Sequence, residues 1–157
     1  MLQTRGYTTA VFRTIMRRTD APDDVDAAVS ARMQRQRVLR EGDHRFAFVI
    51  EESVLRTSVC EPEDHAAQLD HLAICAALPS VSLGVIPMGH QRRRWPVEGF
   101  WIFDDEQVNV ELVSSYLTIT QPREIADYAR AFSDLSEMAV YGARARALID
   151  SALDALA

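Results

Sequence analysis

The sequence predicts an α+β fold: a mostly antiparallel sheet of 4-5 strands flanked by about five helices. Three observations carry this expectation. Segments with an apolar period near 3.6 stand at both ends of the chain, and segments with a period of two cluster in the middle. The central strands lie close together in sequence, which suits hairpin connections and antiparallel pairing. A chain of 157 residues that is 48% hydrophobic can close around one core, so residues 1–157 are read as a single domain.

The elements follow in order. Residues 5–18 form a helix, with Tyr7, Val11 and Ile15 on one stripe. Asp20 then caps a second helix, Pro22 opens it, and Asp23, Asp24 and Asp26 suit its positive end. That helix runs to Glu41 on Val25, Val29, Met33 and Leu39, and Gly42 stops it. Arg32, Arg35, Arg37 and Arg40 give it a solvated face. Phe46 to Ile50 is apolar on both sides and predicts a central strand ending at Glu51 and Glu52. Pro62 starts and Pro79 stops a helix with Leu69, Leu72, Ala73 and Ala76 inward. Residues 81–88 and 99–104 read as strands. Residues 108–120 read as a fourth strand, or as a fourth and fifth divided at Ser114-Ser115. Val108, Val110 and Leu112 mark its buried face, and Asn109, Glu111 and Val113 the other. Thr120 caps the next helix, with Ile125, Phe132 and Leu135 inward. Gly142 opens the last helix on Leu148, Ile149, Leu153 and Leu156.

Composition excludes several classes of function. The net charge is −6, which opposes DNA binding by this chain alone. All seventeen basic residues are arginine. No apolar run approaches a membrane span, and no leader pattern opens the chain, so a cytoplasmic location is expected. Cys60 and Cys75 lack zinc or redox spacing, and Cys75 sits in an apolar helical pattern that predicts a core position. His65 and His71 fall on opposite helix faces, and no resident metal or cofactor is expected. No Gly-x-Ser-x-Gly elbow and no glycine-rich phosphate loop is present.

The stretch HQRRRWPVEGFWIFDD, residues 90–105, is the most unusual in the chain. Arg92, Arg93 and Arg94 have the guanidinium forks that recognise phosphate or carboxylate, but they also suit pairing with nearby acids. Trp95 stands before Pro96 in a loop, where it serves the core, a pocket lid or an interface anchor. Trp101 and Phe103 share one strand face, Phe100 and Ile102 the other, and Trp101 is expected in the core. Glu51, Glu52, Glu98 and Glu111 stand on strands or at their ends, where acid–base chemistry or ion pairs with Arg56 or Arg94 both fit.

The segments LQTRGYTTAVF, DDVDAAVSARMQRQRVL, FVIEESVLR, PSVSLGVIPMG, WPVEGFWIFDD and VNVELVSSYLTITQPREIADYARAFSDLSEMAVYG come in a telling order. Together they resemble the C-terminal domain, a domain of unknown function, of actinobacterial Xre-type helix-turn-helix regulators of the Scr-type antitoxin-like group. The resemblance covers essentially the whole chain and rests on the ordered set rather than on any one motif. It implies a non-enzymatic sensing, dimerising or partner-binding module that follows a DNA-binding helix-turn-helix. Some members of that group stand beside a small partner protein.

The expected function is therefore a ligand- or partner-binding regulatory domain, acting as a homodimer. It would touch DNA only through a helix-turn-helix that this sequence does not contain. The expected binding residues are Glu52, Arg56, Arg94, Trp95, Glu98, Trp101 and Glu111. The arginine-rich helix 22–41 and the last helix are the expected dimer surfaces. The competing reading is a stand-alone enzyme of specialised metabolism that uses strand-end carboxylates as acid and base. It requires those carboxylates to converge in an enclosed pocket.

Overall fold

A computed structural model of the chain describes residues 1–17 and 24–156. Asp20, Pro22 and Asp23, expected to open the second helix, lie outside the described residues. In chain order the helices are α1 (Arg5–Met16), α2 (Val25–Arg35), α3 (Glu52–Arg56), α4 (Pro62–Ala76), α5 (Pro122–Met138) and α6 (Gly142–Asp154). The strands are β1 (Phe46–Glu51), β2 (Val81–Ile86), β3 (Phe100–Phe103), β4 (Gln107–Glu111) and β5 (Tyr116–Ile119). A 3-10 turn, Gln36–Leu39, continues α2. The residues group into two compact units: Met1–Met88 with Val140–Ala157, and Gly89–Ala139.

The first unit is built on α4. Pro62 suits its first turn, where a backbone N–H would have no partner in any case, and Leu69, Leu72 and Ala73 place its buried stripe. They join Leu39, Leu55, Val85 and Ile149 in one core. Cys75 belongs to that core, as the apolar pattern predicts. Gln68 on α4 is buried and holds the residues before α1. Its Nε2 donates to the Leu2 carbonyl at 2.6 Å and its Oε1 accepts from the Thr4 N–H at 2.8 Å. Thr4 in turn caps α1 by accepting from the Tyr7 N–H. Strands β1 and β2 pair in parallel, from Phe46 opposite Val81 to Glu51 opposite Ile86. Val140, ahead of α6, exchanges two backbone bonds with Val85, at 3.0 and 2.8 Å.

The second unit is an antiparallel meander of order β3-β4-β5 with α5 packed on one face. Val108, Val110 and Ile125 form its buried centre, with Phe100, Ile102, Ile119 and Tyr128 around them. The Phe100 and Tyr128 rings meet edge to face, 5.0 Å between centroids.

Several expectations are corrected. The α+β class holds, but the strands form two sheets, one of two parallel strands and one of three antiparallel strands, not one sheet of four to five. The physical reason is the crossover. Strands β1 and β2 are separated by α3 and α4, long enough to return the chain in parallel, whereas β3 to β5 are joined by tight turns. There are six α-helices among the described residues, because Glu52–Arg56 forms a short helix of its own. The segment 108–120 does divide at Ser114-Ser115. The N-cap of α5 is Gln121, not Thr120, since Pro122 takes the first helical position. Ile15, Ala76 and Leu112, expected inward, are exposed. Arg32 leaves the solvated face: it stacks over the Phe12 ring at 4.4 Å and donates to Gln3 Oε1 at 3.0 Å.

Candidate functional site

The register of the meander sorts the side chains of the second unit. Phe100, Ile102, Val108, Val110, Leu117 and Ile119 share the parity that faces α5. Trp101, Phe103, Gln107, Asn109, Glu111, Tyr116 and Thr118 share the opposite face. On that outer face Trp101 is 48% exposed, Phe103 52% and Tyr116 57%. Trp101 therefore does not join the core as expected. Its face assignment is right, but the core claims only the other face, where α5 packs. Asn109, directly between Trp101 and Thr118, is nonetheless buried, and its Oδ1 accepts from Gln107 Nε2 at 2.8 Å. The face is thus a polar centre of paired amides flanked by exposed aromatic rings.

The loop before β3 adds Trp95, 76% exposed, and Val97. Its arginines pair with acids of α5: Arg94 Nε with Asp134 at 2.7 Å, and Arg93 with Glu137 at 3.5 Å. Both pairs are substantially solvated, so they orient the loop more than they stabilise it. Glu98 accepts a hydrogen bond from the Tyr128 hydroxyl at 2.8 Å. Burial, and then this carboxylate, push the Tyr128 phenol above its ordinary range. Glu98 is thus held from the α5 side, whereas Glu111 stands on β4 opposite Tyr116, on the outer face.

Glu52 and Arg56 lie in the first unit. Glu52 is buried at the start of α3. Its Oε2 accepts from the Met88 N–H at 2.9 Å, and its Oε1 accepts from Arg56 Nε and Nη2 at 3.0 and 2.9 Å. The Met88 bond foremost, with the Arg56 fork beside it, outweighs burial and holds this carboxyl below its ordinary range. Arg56 reaches on to Ser151 Oγ on α6 at 3.3 Å. Both oxygens of Glu52 are thus engaged in fastening the first unit. Of the seven expected binding residues, two belong to the first unit and five to the second. Trp95, Trp101 and Glu111 present exposed surface in the second.

Sequence reasoning missed two arrangements. The amide pair Gln107–Asn109 left only an i, i+2 signal on one strand face. The other is on α4, where His71 Nε2 lies 3.3 Å from Cys75 Sγ. Its signal is the His-x-x-x-Cys spacing, one helical turn, which a search for two histidines or two cysteines passes over. Burial raises the Cys75 thiol; burial and the Arg40 charge lower His71. Both groups are thus biased towards their neutral forms. No cluster of three or more His, Cys, Asp or Glu placed to hold a metal occurs among the described residues. No helix among them is long and apolar enough to cross a membrane.

The architecture defines an α+β protein of two compact units, one of them a helix-backed meander with an aromatic outer face. Residues 1–151 match the family described as Domain of unknown function (DUF5753), and the chain belongs to that family. No curated protein and no solved structure matches it.

Proposed function

We propose that this chain is the partner- or ligand-binding regulatory domain of an antitoxin-like, Xre-type helix-turn-helix regulator, non-enzymatic and dimeric. The observation that carries the reading is the outer face of the meander. Exposed tryptophan and tyrosine side chains on a rigid sheet are the usual anchors of recognition surfaces, because they bury much area for little lost side-chain freedom. Here Trp101, Phe103 and Tyr116 surround a fixed amide pair, and Trp95 stands in the adjoining loop. The net charge of −6 and the ordered resemblance to the regulator domains support the same reading. The enzyme reading asks for carboxylates that converge with a free oxygen, whereas Glu52 has both oxygens bonded, Glu98 is bonded by Tyr128 on α5 and Glu111 stands on the outer face.

Native mass spectrometry of the purified chain tests the proposal by reporting subunit count and any retained small molecule together. Both tryptophans lie in the second unit, so fluorescence reports on it directly. A retained compound or added partner should shift the emission to the blue, and Trp101→Ala should abolish binding while leaving the far-ultraviolet circular dichroism unchanged. Binding that survives both Trp101→Ala and Tyr116→Ala would remove this face from the proposal.

A further inference from the structure

We propose that the outer edge of β1 pairs antiparallel with the same edge of a second copy, so that two β1–β2 pairs join into one four-stranded sheet. This rests only on the dimeric part of the reading above, not on what the aromatic face binds.

A two-stranded parallel sheet is an unusual end point, because parallel strands are ordinarily found inside larger sheets. On one side of this sheet Val140 forms an isolated bridge to β2 at Val85. The other side is the edge of β1. The Phe46 N–H donates to the Ser80 carbonyl at 2.8 Å, which fixes the parity of the strand. Phe46, Phe48 and Ile50 direct their backbone groups to β2, and Ala47, Val49 and Glu51 turn theirs outward. Among the described residues no backbone hydrogen bond meets Ala47 or Val49 on that side, and Ala47 is exposed. Natural edge strands are usually blunted by an internal charge, a proline or a bulge. Strand β1 reads FAFVIE and has none before its last residue.

The charges at its ends choose the occupant. Arg45 precedes the strand and Glu51 closes it, equally far from Phe48. A two-fold axis at Phe48 therefore sets Arg45 opposite Glu51 of the second copy, and Glu51 opposite its Arg45. The same axis sets Ala47 opposite Val49. Those are outward-facing residues, which an antiparallel hydrogen-bonded pair requires. Phe48 then meets Phe48 across the axis as a non-hydrogen-bonded pair, and Phe46 meets Ile50. Backbone parity, charge and apolar matching thus agree on one self-complementary register. Phe46, Phe48 and Ile50 already pack on the core of the first unit while remaining partly exposed, so the pairing would extend that core across the axis. The helices expected to dimerise have spent their stripes within the unit: Val25 and Val29 on α2, and Ala145, Ile149 and Ala152 on α6, are buried.

The test is the mass of the full chain in solution by light scattering, over a concentration series, with circular dichroism alongside. The wild type should be a dimer. Ala47→Pro removes an outward N–H that β2 does not use, and should raise the dimer dissociation constant at least about tenfold, the equivalent of a hydrogen bond or two. Arg45→Glu alone and Glu51→Arg alone should each weaken the dimer, and the two together should restore it. Should Ala47→Pro unfold the chain, the charge series decides. A wild-type monomer at high micromolar concentration would overturn both the dimeric reading and the edge. A dimer indifferent to the proline and to the charge reversals would overturn the edge alone.

Discussion

The Glu52 carboxylate ties the backbone N–H of Met88 to α3, with 2.9 Å between Oε2 and the nitrogen, while its other oxygen takes the Arg56 fork. Met88 is the last residue of the first unit before the chain leaves it. Glu52 therefore fastens the exit of β2 to the helix that follows β1. Its side chain is 8% exposed and that of Arg56 is 32% exposed. Removing the carboxylate takes the acceptor from the Met88 N–H and from the Arg56 fork, and Arg56 stays partly hydrated. Glu52→Ala should cost about 2 kcal/mol in urea denaturation, and Glu52→Gln less, because the amide oxygen still accepts one bond. Equal stability of Glu52→Ala and wild type would contradict the contact.

The same carboxylate sets a pH dependence with a definite sign. Its folded pKa lies below the ordinary 4.5, chiefly through the Met88 hydrogen bond and then through Arg56. The unfolded chain therefore takes up the proton first as pH falls. The contribution is fully present above the ordinary value and is lost as pH drops through it towards the lowered folded value. The stability gap between wild type and Glu52→Gln should be widest at neutral pH and should narrow below about pH 4. Urea midpoints for both chains at neutral and acid pH check this, and a gap that widens on acidification would reverse the sign.

The two cysteines should separate by reactivity. Cys60 is partly exposed, and Cys75 is fully buried against His71. A thiol raised by burial beside a neutral imidazole supplies little thiolate. A colorimetric disulfide reagent should modify one thiol quickly in the native chain and both in denaturant, and Cys60→Ser should abolish the fast phase. A fast phase that survives Cys60→Ser would place Cys75 in contact with solvent.

Much of the local structure was legible in the sequence because it depends on neighbours a turn or two away. Pro62 set the start of α4, and the alternation Phe100 to Phe103 placed Trp101 with Phe103 on one face and Phe100 with Ile102 on the other. What the sequence did not disclose depends on partners far along the chain. The parallel pairing of β1 with β2 follows from the crossover through α3 and α4, and a strand's composition does not state its direction. Trp101 was misplaced for a related reason. Its hydrophobicity is visible, but whether a second layer covers its face is decided by where α5 packs. Among the candidate site residues, Arg94 finds Asp134 forty positions away and Glu98 finds Tyr128 on α5, pairings that no local spacing announces.

That misplacement makes a contrast that can be measured. Trp101 on β3 and Val108 on β4 stand on opposite faces of one sheet, Trp101 half-exposed and Val108 with no accessible surface. Truncating a buried valine removes packed methyl groups and leaves a cavity, at a cost of about 1–3 kcal/mol. Truncating a large ring on an uncovered face removes little buried area. Trp101→Ala should therefore shift stability by less than about 1 kcal/mol although it deletes the larger side chain, and Val108→Ala should cost more. Urea denaturation followed by circular dichroism compares the two without relying on the deleted fluorophore. The reverse order would mean that the outer face is covered in the native protein. The covering layer would then be a partner or second copy already in place, and repeating the comparison at low protein concentration should restore the predicted order as that layer dissociates.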